Sequence, residues 1–422
     1  MSFLPQNTDL GNLDTIEIYS YYNGPRLFSC RNSAGNIYFA LWVDEEDDFD
    51  LWLYVAISQQ RFEEIRSGKI DLQNAFLKAE DGFVFEIKIF FDINSSDRVN
   101  SIPCEEIDKD WLPLPDDYLK LLSKDFSGAN LSGFNLHNAD LSAANLRKTN
   151  LSSANLRDTN LSSANLSYAD LRDANLAGAD LSRSKLSDAD LSYADLSGAD
   201  LSGADLTFTK LNASRLRGAN LSGADLSGAN LVFVNLNFAT LSNADLSYAD
   251  LSSASLSSAN LDGADLSATN LSNTNLSEAN LSDADLSAAD LRGSQINYRT
   301  DIDSKWRLVW EIVNLGAVGH DLSGTDLSSA NLSGADLRGA NLSGAFMENA
   351  DLSMANLSGA DLSNAYLIAV KMSGTNLSSV IVNKAKFGEN VDLSEDIKLA
   401  LEKQGAIFED SPGERSEIMT LR

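Results

Sequence analysis

The sequence predicts a mainly all-β solenoid that follows a small α/β (α+β) domain at the N-terminus. Two periodic features carry this prediction. An apolar residue, nearly always leucine, occupies every fifth position from Phe126 to Ile296 and again from Leu322 to Phe387. In the first stretch the residue two places before it is nearly always small, most often alanine, with Phe134 as an exception. A fixed short period is typical of solenoids, because each unit can bury its apolar residues only against its neighbours.

A period of five fits neither a helix nor a flat strand. A chain that turns a corner every five residues can keep both the alanine and the leucine inside. Asp or Asn, Ser and the variable residue then point outward. Asp, Asn, Ser and Gly suit such corners, because their side chains bond to nearby backbone and some tolerate unusual φ. We expect neighbouring coils to pair their backbones at the strand spacing of about 4.8 Å.

Units such as Ala199–Gly203 (ADLSG) and Ala219–Gly223 (ANLSG) resemble those of the pentapeptide-repeat family. The resemblance implies a right-handed quadrilateral β-helix with four pentads in each coil, and it brings no catalytic residues. The segment from Lys305 to Asn314 is similar to one that precedes a repeat block in cyanobacterial members of this family.

Residues 1–122 are predicted to form the separate α/β domain. The acidic run Asp44–Asp50 is interpreted as a solvated hairpin tip. The alternative is a site that binds Ca²⁺ or a basic peptide. The run lacks the glycine and the distal glutamate of an EF-hand loop. A helix is expected over Ser58–Ser67, ended by Gly68. Alternating or apolar runs predict strands at Thr15–Tyr22, Asn36–Val43, Leu51–Ile57 and Phe83–Phe91.

The repeat is interrupted, because the step from Ile296 to Leu322 is not a multiple of five. We therefore divide it into block 1 (123–296), an interruption (297–318) and block 2 (319–390). Asp303 or Ser304 can cap a helix in the interruption at its start, and Gly316 at its end. One face of this helix is formed by Trp306, Val309, Trp310 and Val313.

Two roles are open for Trp306 and Trp310. They either pack the helix on the solenoid wall or contact a partner from a protruding loop. The remaining residues, 391–422, are predicted to contain a capping helix at Leu393–Gln404, with Ser394 at its start and Gly405 after its end. A dimer formed through this helix is the alternative.

Neither motifs nor residue spacings point to catalysis. The two histidines and two cysteines form no metal-ligand pattern, and no Walker A, G-x-S-x-G or G-x-G-x-x-G motif occurs. We therefore predict no cofactor, no metal and no enzymatic activity. Met1–Leu10 lacks the features of a signal peptide, and no apolar run of about 18 residues occurs, so we expect a cytoplasmic protein without membrane insertion.

The outward positions carry the remaining information. If four pentads make a coil, residues 20 apart share a face. One such column becomes an acidic ladder formed by Asp205, Asp225, Asp245, Asp265 and Asp285. Aromatic residues occupy the variable position at Tyr168, Tyr193, Phe208, Phe233, Phe238 and Tyr248. Exposed aromatics are common at binding surfaces. Two simpler explanations stay open. Duplication of a 40-residue block would produce the spacing of the aromatic residues without any function. The ladder would follow from the general alternation of Asp and Asn at this position.

The formal net charge of −29 disfavours direct nucleic-acid binding and favours basic partners. The leading hypothesis is a non-catalytic protein-interaction scaffold with an acidic and aromatic surface. One alternative, from the family resemblance, is a DNA mimic that inhibits or protects a type II topoisomerase. The other is an enzymatic or effector module in the N-terminal domain, carried on a repeat scaffold.

Overall fold

The structure is a computed structural model that describes residues 13–21, 25–32, 34, 36–45, 49–66, 83–90, 98–103, 125–389 and 393–408. The chain forms two compact units, Met1–Asp225 and Leu226–Arg422. Several sequence predictions fall outside the described residues. They are the ends of the predicted strands at Tyr22 and Phe91, the helix end at Ser67–Gly68, the middle of the acidic run at 46–48, and the last fourteen residues.

The described N-terminal residues form a six-stranded antiparallel sheet in which the strands follow chain order. One helix, α1 (Gln59–Arg66), lies between the fourth and fifth strands in the chain. The strands are β1 (Leu13–Tyr21), β2 (Pro25–Asn32), β3 (Ile37–Glu45), β4 (Phe49–Ile57), β5 (Phe83–Phe90) and β6 (Arg98–Pro103). Sequence analysis did not predict β2 and β6. Their polar residues give no clear alternation, and pairing with neighbouring strands defines them.

Strand β4 forms the core of this sheet. Its consecutive residues Trp52, Leu53, Tyr54 and Val55 are all buried, so both faces of the strand are covered. Strands β3 and β4 pair as an antiparallel hairpin up to Glu45 and Asp50. The described ends of the acidic run, Asp44, Glu45 and Asp50, therefore belong to the two paired strands at the end of this hairpin.

Within each unit, residues that precede a central leucine form parallel bridges with residues 20 positions later. Asn130 pairs with Asn150, which in turn pairs with Asp170. A coil therefore contains four pentads. The backbone bonds repeat as well: Leu131 N donates to Asn150 O at 2.6 Å, and Asn150 N donates to Ala129 O at 2.9 Å. Pairing with adjacent coils satisfies backbone groups that would otherwise be buried without partners.

The inward columns are those predicted. Central leucines and the alanines two places before them are buried in both units, as Leu201, Ala204 and Leu261 illustrate. In block 1, threonine or serine at the alanine position is also buried, and its hydroxyl can donate to a backbone carbonyl. Thr149 Oγ1 donates to Phe126 O at 2.7 Å, and Ser184 Oγ donates to Leu181 O at 2.7 Å. These bonds remove most of the cost of a buried hydroxyl.

In the second unit β7 (Asn280–Leu281) of block 1 pairs in parallel with β8 (Asp301–Ile302) of the interruption. Helix α2 (Ser304–Leu315) follows. Asp303 caps its start by accepting Lys305 N at 2.7 Å, and Gly316 ends it with a φ of 75°.

The buried face of α2 differs from the predicted one. Trp306, Val309 and Ile312 are buried, whereas Trp310 and Val313 are only half-buried. Ile312 and Val313 are both apolar, so the sequence alone does not distinguish them. The packing of α2 against the solenoid determines that Ile312 is the buried one.

Side chains of α2 bond to the end of block 1. Asn314 Oδ1 accepts Gly293 N at 2.6 Å, and Asn314 Nδ2 donates to Leu291 O at 3.0 Å. In a regular coil the equivalent of Gly293 N donates to a carbonyl of the next coil, whereas Leu291 O also accepts Ser294 N within its own turn at 3.2 Å. Block 2 also bonds directly to block 1 within the second unit, since Ala288 N donates to Ser329 O at 2.7 Å.

The described C-terminal residues complete a three-stranded parallel sheet of β9 (Tyr366–Ile368), β10 (Lys386–Gly388) and β11 (Ile407–Phe408). Helix α3 (Glu395–Lys403) precedes β11 and begins after Ser394, as predicted, although its first residue is Glu395 rather than Leu393. Leu401 of α3 is buried, and the Phe408 ring stacks on Phe387 at 5.1 Å. The segment thus covers apolar side chains of the last coil, as a cap does.

Candidate interaction surface

The acidic ladder is described in two parts, one in each unit. In the first unit Asp205 bridges to Asp225. In the second unit Asp245 bridges to Asp265, and Asp265 bridges to Asp285. Successive carboxylates therefore occupy adjacent coils, about 4.8 Å apart along the backbone ladder.

One oxygen of these carboxylates has a structural role. Asp245 Oδ1 and Asp265 Oδ1 each accept the backbone N–H two residues later at 2.8 Å, and Asp285 Oδ1 does so at 2.9 Å. Asn145 and Asn165 make the same bond in earlier coils. The turn therefore needs a side-chain oxygen and does not need the negative charge.

Other outward columns neutralise or bridge their carboxylates. Asn270 Nδ2 donates to Asp250 Oδ1 at 2.9 Å. In the first unit, Lys210 Nζ lies 3.8 Å from Asp190 Oδ2. Within the described ranges no lysine or arginine lies within ion-pair distance of Asp245, Asp265 or Asp285. Like charges in register destabilise a pair of strands, so this column is electrostatically unfavourable for the fold.

The six predicted aromatic residues are all exposed, from 49% for Tyr168 to 75% for Tyr248. Each also has a positive φ, between 54° for Phe208 and 63° for Tyr193. Positive φ is unfavourable for residues with a Cβ and is natural for glycine. The aromatic rings therefore project from the corners at a backbone position that glycine would occupy at lower cost.

The aromatic residues divide between the two units. Tyr168, Tyr193 and Phe208 belong to the first, and Phe233, Phe238 and Tyr248 to the second. The Arg147 guanidinium lies 4.8 Å from the centroid of the Tyr168 ring, so this ring already has a cation–π partner.

Three Asp-Leu-Arg pentads form bidentate ion pairs on the outer surface. In one of them, Arg172 Nε and Nη2 donate to Asp170 Oδ1 and Oδ2 at 2.8 and 2.6 Å. These bonds from Arg172 lower the pKa of the Asp170 carboxyl below its ordinary value. The other two pairs are Asp290–Arg292 and Asp336–Arg338.

The structure places both tryptophans of the interruption against the solenoid. Trp306 is buried, and Lys305 Nζ lies 4.7 Å from its ring centroid. Trp310 is half-buried, and its Nε1 donates to Ser294 O at 2.9 Å. Both side chains therefore pack the helix on the wall.

Sequence analysis missed a pair of aromatic residues in block 2. Phe346 and Tyr366 bridge to one another, and their rings stack at 5.1 Å with an interplanar angle of 10°. Both occupy the position before the central residue, where Asp or Asn is usual. The 20-residue spacing of two aromatics at that position is the signal that could have identified them.

The described ranges hold no group of three or more His, Cys, Asp or Glu side chains that could bind a metal ion. None of the helices in the same ranges has the length and apolar character needed to span a lipid bilayer.

Both parts of the chain match known protein families. A model of pentapeptide repeats matches in eight copies between residues 125 and 296 and between residues 321 and 383. The chain therefore belongs to the pentapeptide-repeat family, whose members fold as right-handed β-helices and are generally non-catalytic. Residues 1–131 match a family of unknown function, DUF6575.

Solved structures include further pentapeptide-repeat proteins. HetL, involved in heterocyst differentiation regulation in the cyanobacterium Nostoc sp. strain PCC 7120, is 32% identical over 62% of this chain and 88% of its own, with a TM-score of 0.35. The protein alr5209 from Nostoc PCC 7120 is 35% identical over 22% of this chain and 75% of its own, with a TM-score of 0.20.

QnrB1, a plasmid-mediated fluoroquinolone resistance protein, was solved in a trypsin-treated form. It is 19% identical over 51% of this chain and 89% of its own, with a TM-score of 0.22. No curated protein matches this chain. Because these TM-scores are low, the family assignment rests on the repeat sequence.

Proposed function

We propose that this chain is a non-catalytic scaffold for protein interactions. Its solenoid presents exposed aromatic rings and an acidic ladder to a protein partner, and its N-terminal domain is a second binding module. The observation that carries this proposal is the exposure of aromatic rings at corners with positive φ, such as Phe233 and Tyr248.

The stability of the fold does not account for these rings. A non-glycine residue in the left-handed region loses about 1–2 kcal/mol, and an exposed ring recovers little of this through burial. Glycine occupies the same turn position in nearby pentads, at Gly228 and Gly263, with φ values of 65° and 66°. Aromatic residues are enriched at protein interfaces because they supply contact area, and such a role accounts for their presence at these corners.

The charge distribution indicates the chemistry of the partner. Between Arg217 and Arg292 the sequence contains no lysine or arginine, whereas it contains nine acidic residues. A field of one sign accelerates the approach of a basic protein surface and repels nucleic acid. We therefore propose a partner whose contact surface is basic.

The test compares two pairs of glycine substitutions at the same kind of corner. Phe233→Gly with Tyr248→Gly removes two exposed rings, and Asn243→Gly with Ser253→Gly changes the same positive-φ backbone without removing a ring. Affinity capture from a cyanobacterial extract with the full chain as bait should recover a basic partner with the wild type and the control pair. The ring-deleted pair should lose this partner.

Melting temperatures of all three proteins show whether folding is intact. The ring-deleted pair is expected to melt at or above the wild-type temperature, because glycine relieves the strain at both corners. Equal recovery of the partner by all three baits would contradict the assignment of the solenoid surface. It would move recognition to the N-terminal domain.

A further inference from the structure

Helix α2 ends beside a cavity in the second unit, which we call the α2 cavity. Its volume is about 410 Å³, within the range of ~300–1,000 Å³ that is typical of small-ligand sites. The last turn of α2 forms one side, and the first coil of block 2 forms the other. The lining includes Val313, Leu315, Gly316, Val318, His320 and Asp336.

The C-terminal end of α2 presents three backbone carbonyls at this cavity. Of the last four carbonyls of the helix, Ile312 O accepts Gly316 N at 3.1 Å. Within the described ranges, no backbone or side-chain donor bonds to the carbonyls of Val313, Asn314 and Leu315. The last carbonyls of a helix carry the negative end of its dipole. The end of α2 therefore favours a hydrogen-bond donor that is positively charged.

Helix α2 does not supply such a donor itself. Helix α3 carries Lys403 in its last turn, whereas α2 has no basic residue there. The basic side chains of α2 lie at its opposite end and are engaged. Lys305 Nζ donates to Ser328 Oγ at 3.0 Å, and Arg307 Nη2 donates to Thr300 O at 2.7 Å. The missing cation is therefore expected from another molecule.

The charged groups around the cavity agree with a cationic occupant. Arg338 is held by Asp336, because its Nε and Nη2 donate to Oδ1 and Oδ2 at 2.8 and 2.7 Å. This pair is nearly neutral. Glu311 is exposed one turn before the end of α2, and Asp321 is exposed next to His320. The local field is therefore acidic and attracts a basic group.

The rim of the cavity is apolar, since Leu315 is 73% exposed and Val318 is 52% exposed. Long basic side chains bury their aliphatic stems on such surfaces while the charged head stays in polar surroundings. Arginine fits this site better than lysine. Its planar guanidinium is weakly hydrated and offers five donors in a rigid fork, which suits several carbonyls at one helix end.

We infer that the α2 cavity binds an arginine side chain of a partner protein. The guanidinium donates to the carbonyls at the end of α2, and its stem packs on Leu315 and Val318. An apolar residue next to the arginine covers the rest of the rim. This inference rests on the proposed function, from which it takes a protein partner with a basic contact surface. It adds a contact formed by residues other than the ladder and the corner rings.

The first experiment titrates a blocked dipeptide, acetyl-arginyl-leucine amide, into the full chain labelled at its leucine and valine methyl groups. NMR should show saturable shifts at Val313, Leu315 and Val318. The control dipeptide has citrulline in place of arginine, which keeps the shape without the charge, and should bind roughly tenfold more weakly. No saturable shift, or equal binding of both peptides, would overturn the inference. So would tighter binding of free L-arginine, since the site would then serve an amino acid.

A tethered cation tests the location. Val318→Arg places a guanidinium beside the same carbonyls, so it should raise the melting temperature and abolish binding of the dipeptide. The matched control is Tyr298→Arg in the interruption, because Tyr298 is 85% exposed and does not line the cavity. It should change neither quantity. Dipeptide binding that survives in Val318→Arg would overturn the assignment of the cavity.

The ring-deleted pair, Phe233→Gly with Tyr248→Gly, separates this inference from the proposed function. It should bind the dipeptide as tightly as the wild type, because neither ring lines the cavity. Equal loss of dipeptide binding in this pair would contradict a site on α2. If the wild type captures a partner through its rings but does not bind the dipeptide, the cavity is wrongly assigned and the scaffold function stands.

Discussion

Residues 126–225 and residues 226–291 repeat the same pentad with different surface charge. The first region contains nine basic and eleven acidic residues, so its charges nearly cancel. The second contains eight acidic residues and no basic one. Both regions bury the same leucine and alanine columns and use the same backbone bonds. The inward positions therefore specify the fold, while the outward positions are free to carry recognition.

The largest expected effect concerns the inward columns, which the two regions share. Ala224→Leu in the first region and Ala264→Leu in the second should each overpack the coil and cost about 1–3 kcal/mol of the free energy of unfolding. Urea denaturation measures both. The outward change Ser222→Asn should stay within about ±0.5 kcal/mol. If Ala224→Leu were as stable as Ser222→Asn, the faces would be wrongly assigned.

A smaller effect is expected where the two regions differ. Asp265 lies between Asp245 and Asp285 in the ladder, so Asp265→Asn should relieve repulsion and keep the turn bond through its side-chain oxygen. We expect a gain of about 0.5 kcal/mol in the free energy of unfolding at low salt. The gain should shrink at high salt, because exposed charges are screened.

The matched change in the first region is Asp190→Asn. Asp190 lies 3.8 Å from Lys210, so the same substitution removes an attraction there. It should leave stability unchanged or slightly lower it. A similar gain for both variants would mean that net charge, rather than the arrangement of the ladder, governs stability.

Kinetics of partner binding test the charge difference between the two regions directly. Replacing Asp245 and Asp265 by Asn should slow association with a basic partner at low salt and change it little at high salt, because long-range attraction acts mainly on the encounter. Stopped-flow or surface plasmon resonance measurements give the rate. The control is Asp180→Asn in the first region, where compensating basic residues weaken the field. Equal slowing by the control would contradict a role for the second region.

The smallest expected effect is the pH dependence of an ion pair in the first region. Arg172 lowers the pKa of Asp170, so the pair stabilises the folded state at neutral pH, where the carboxylate is ionised. This stability is lost as pH falls below the ordinary value of about 4. Wild type should therefore be slightly more stable than Arg172→Ser at pH 7, and the two proteins should converge in acid. A difference that persists in acid would indicate packing rather than charge.

The candidate surface was predictable where it follows the repeat. Phe208 and Tyr248 were placed outward because every fifth residue turns a corner, and the structure exposes both. The paired Phe346 and Tyr366 were missed because they occupy the position of Asp or Asn, which sequence analysis treated as part of the turn. A search of each column for departures from its usual residue would have found them.

The amino-acid pattern is sufficient to specify the solenoid, its inward columns and its helix caps. These features depend on residues that are close in the chain or related by a constant step, so periodicity and capping chemistry suffice to predict them. Contacts across the fold were needed for the pairing of β2 and β6, the burial of Ile312 instead of Val313, and the bonds of Asn314 to the end of block 1. Each of these depends on contacts between segments that no local pattern relates, and the packed partner selects among side chains of similar character.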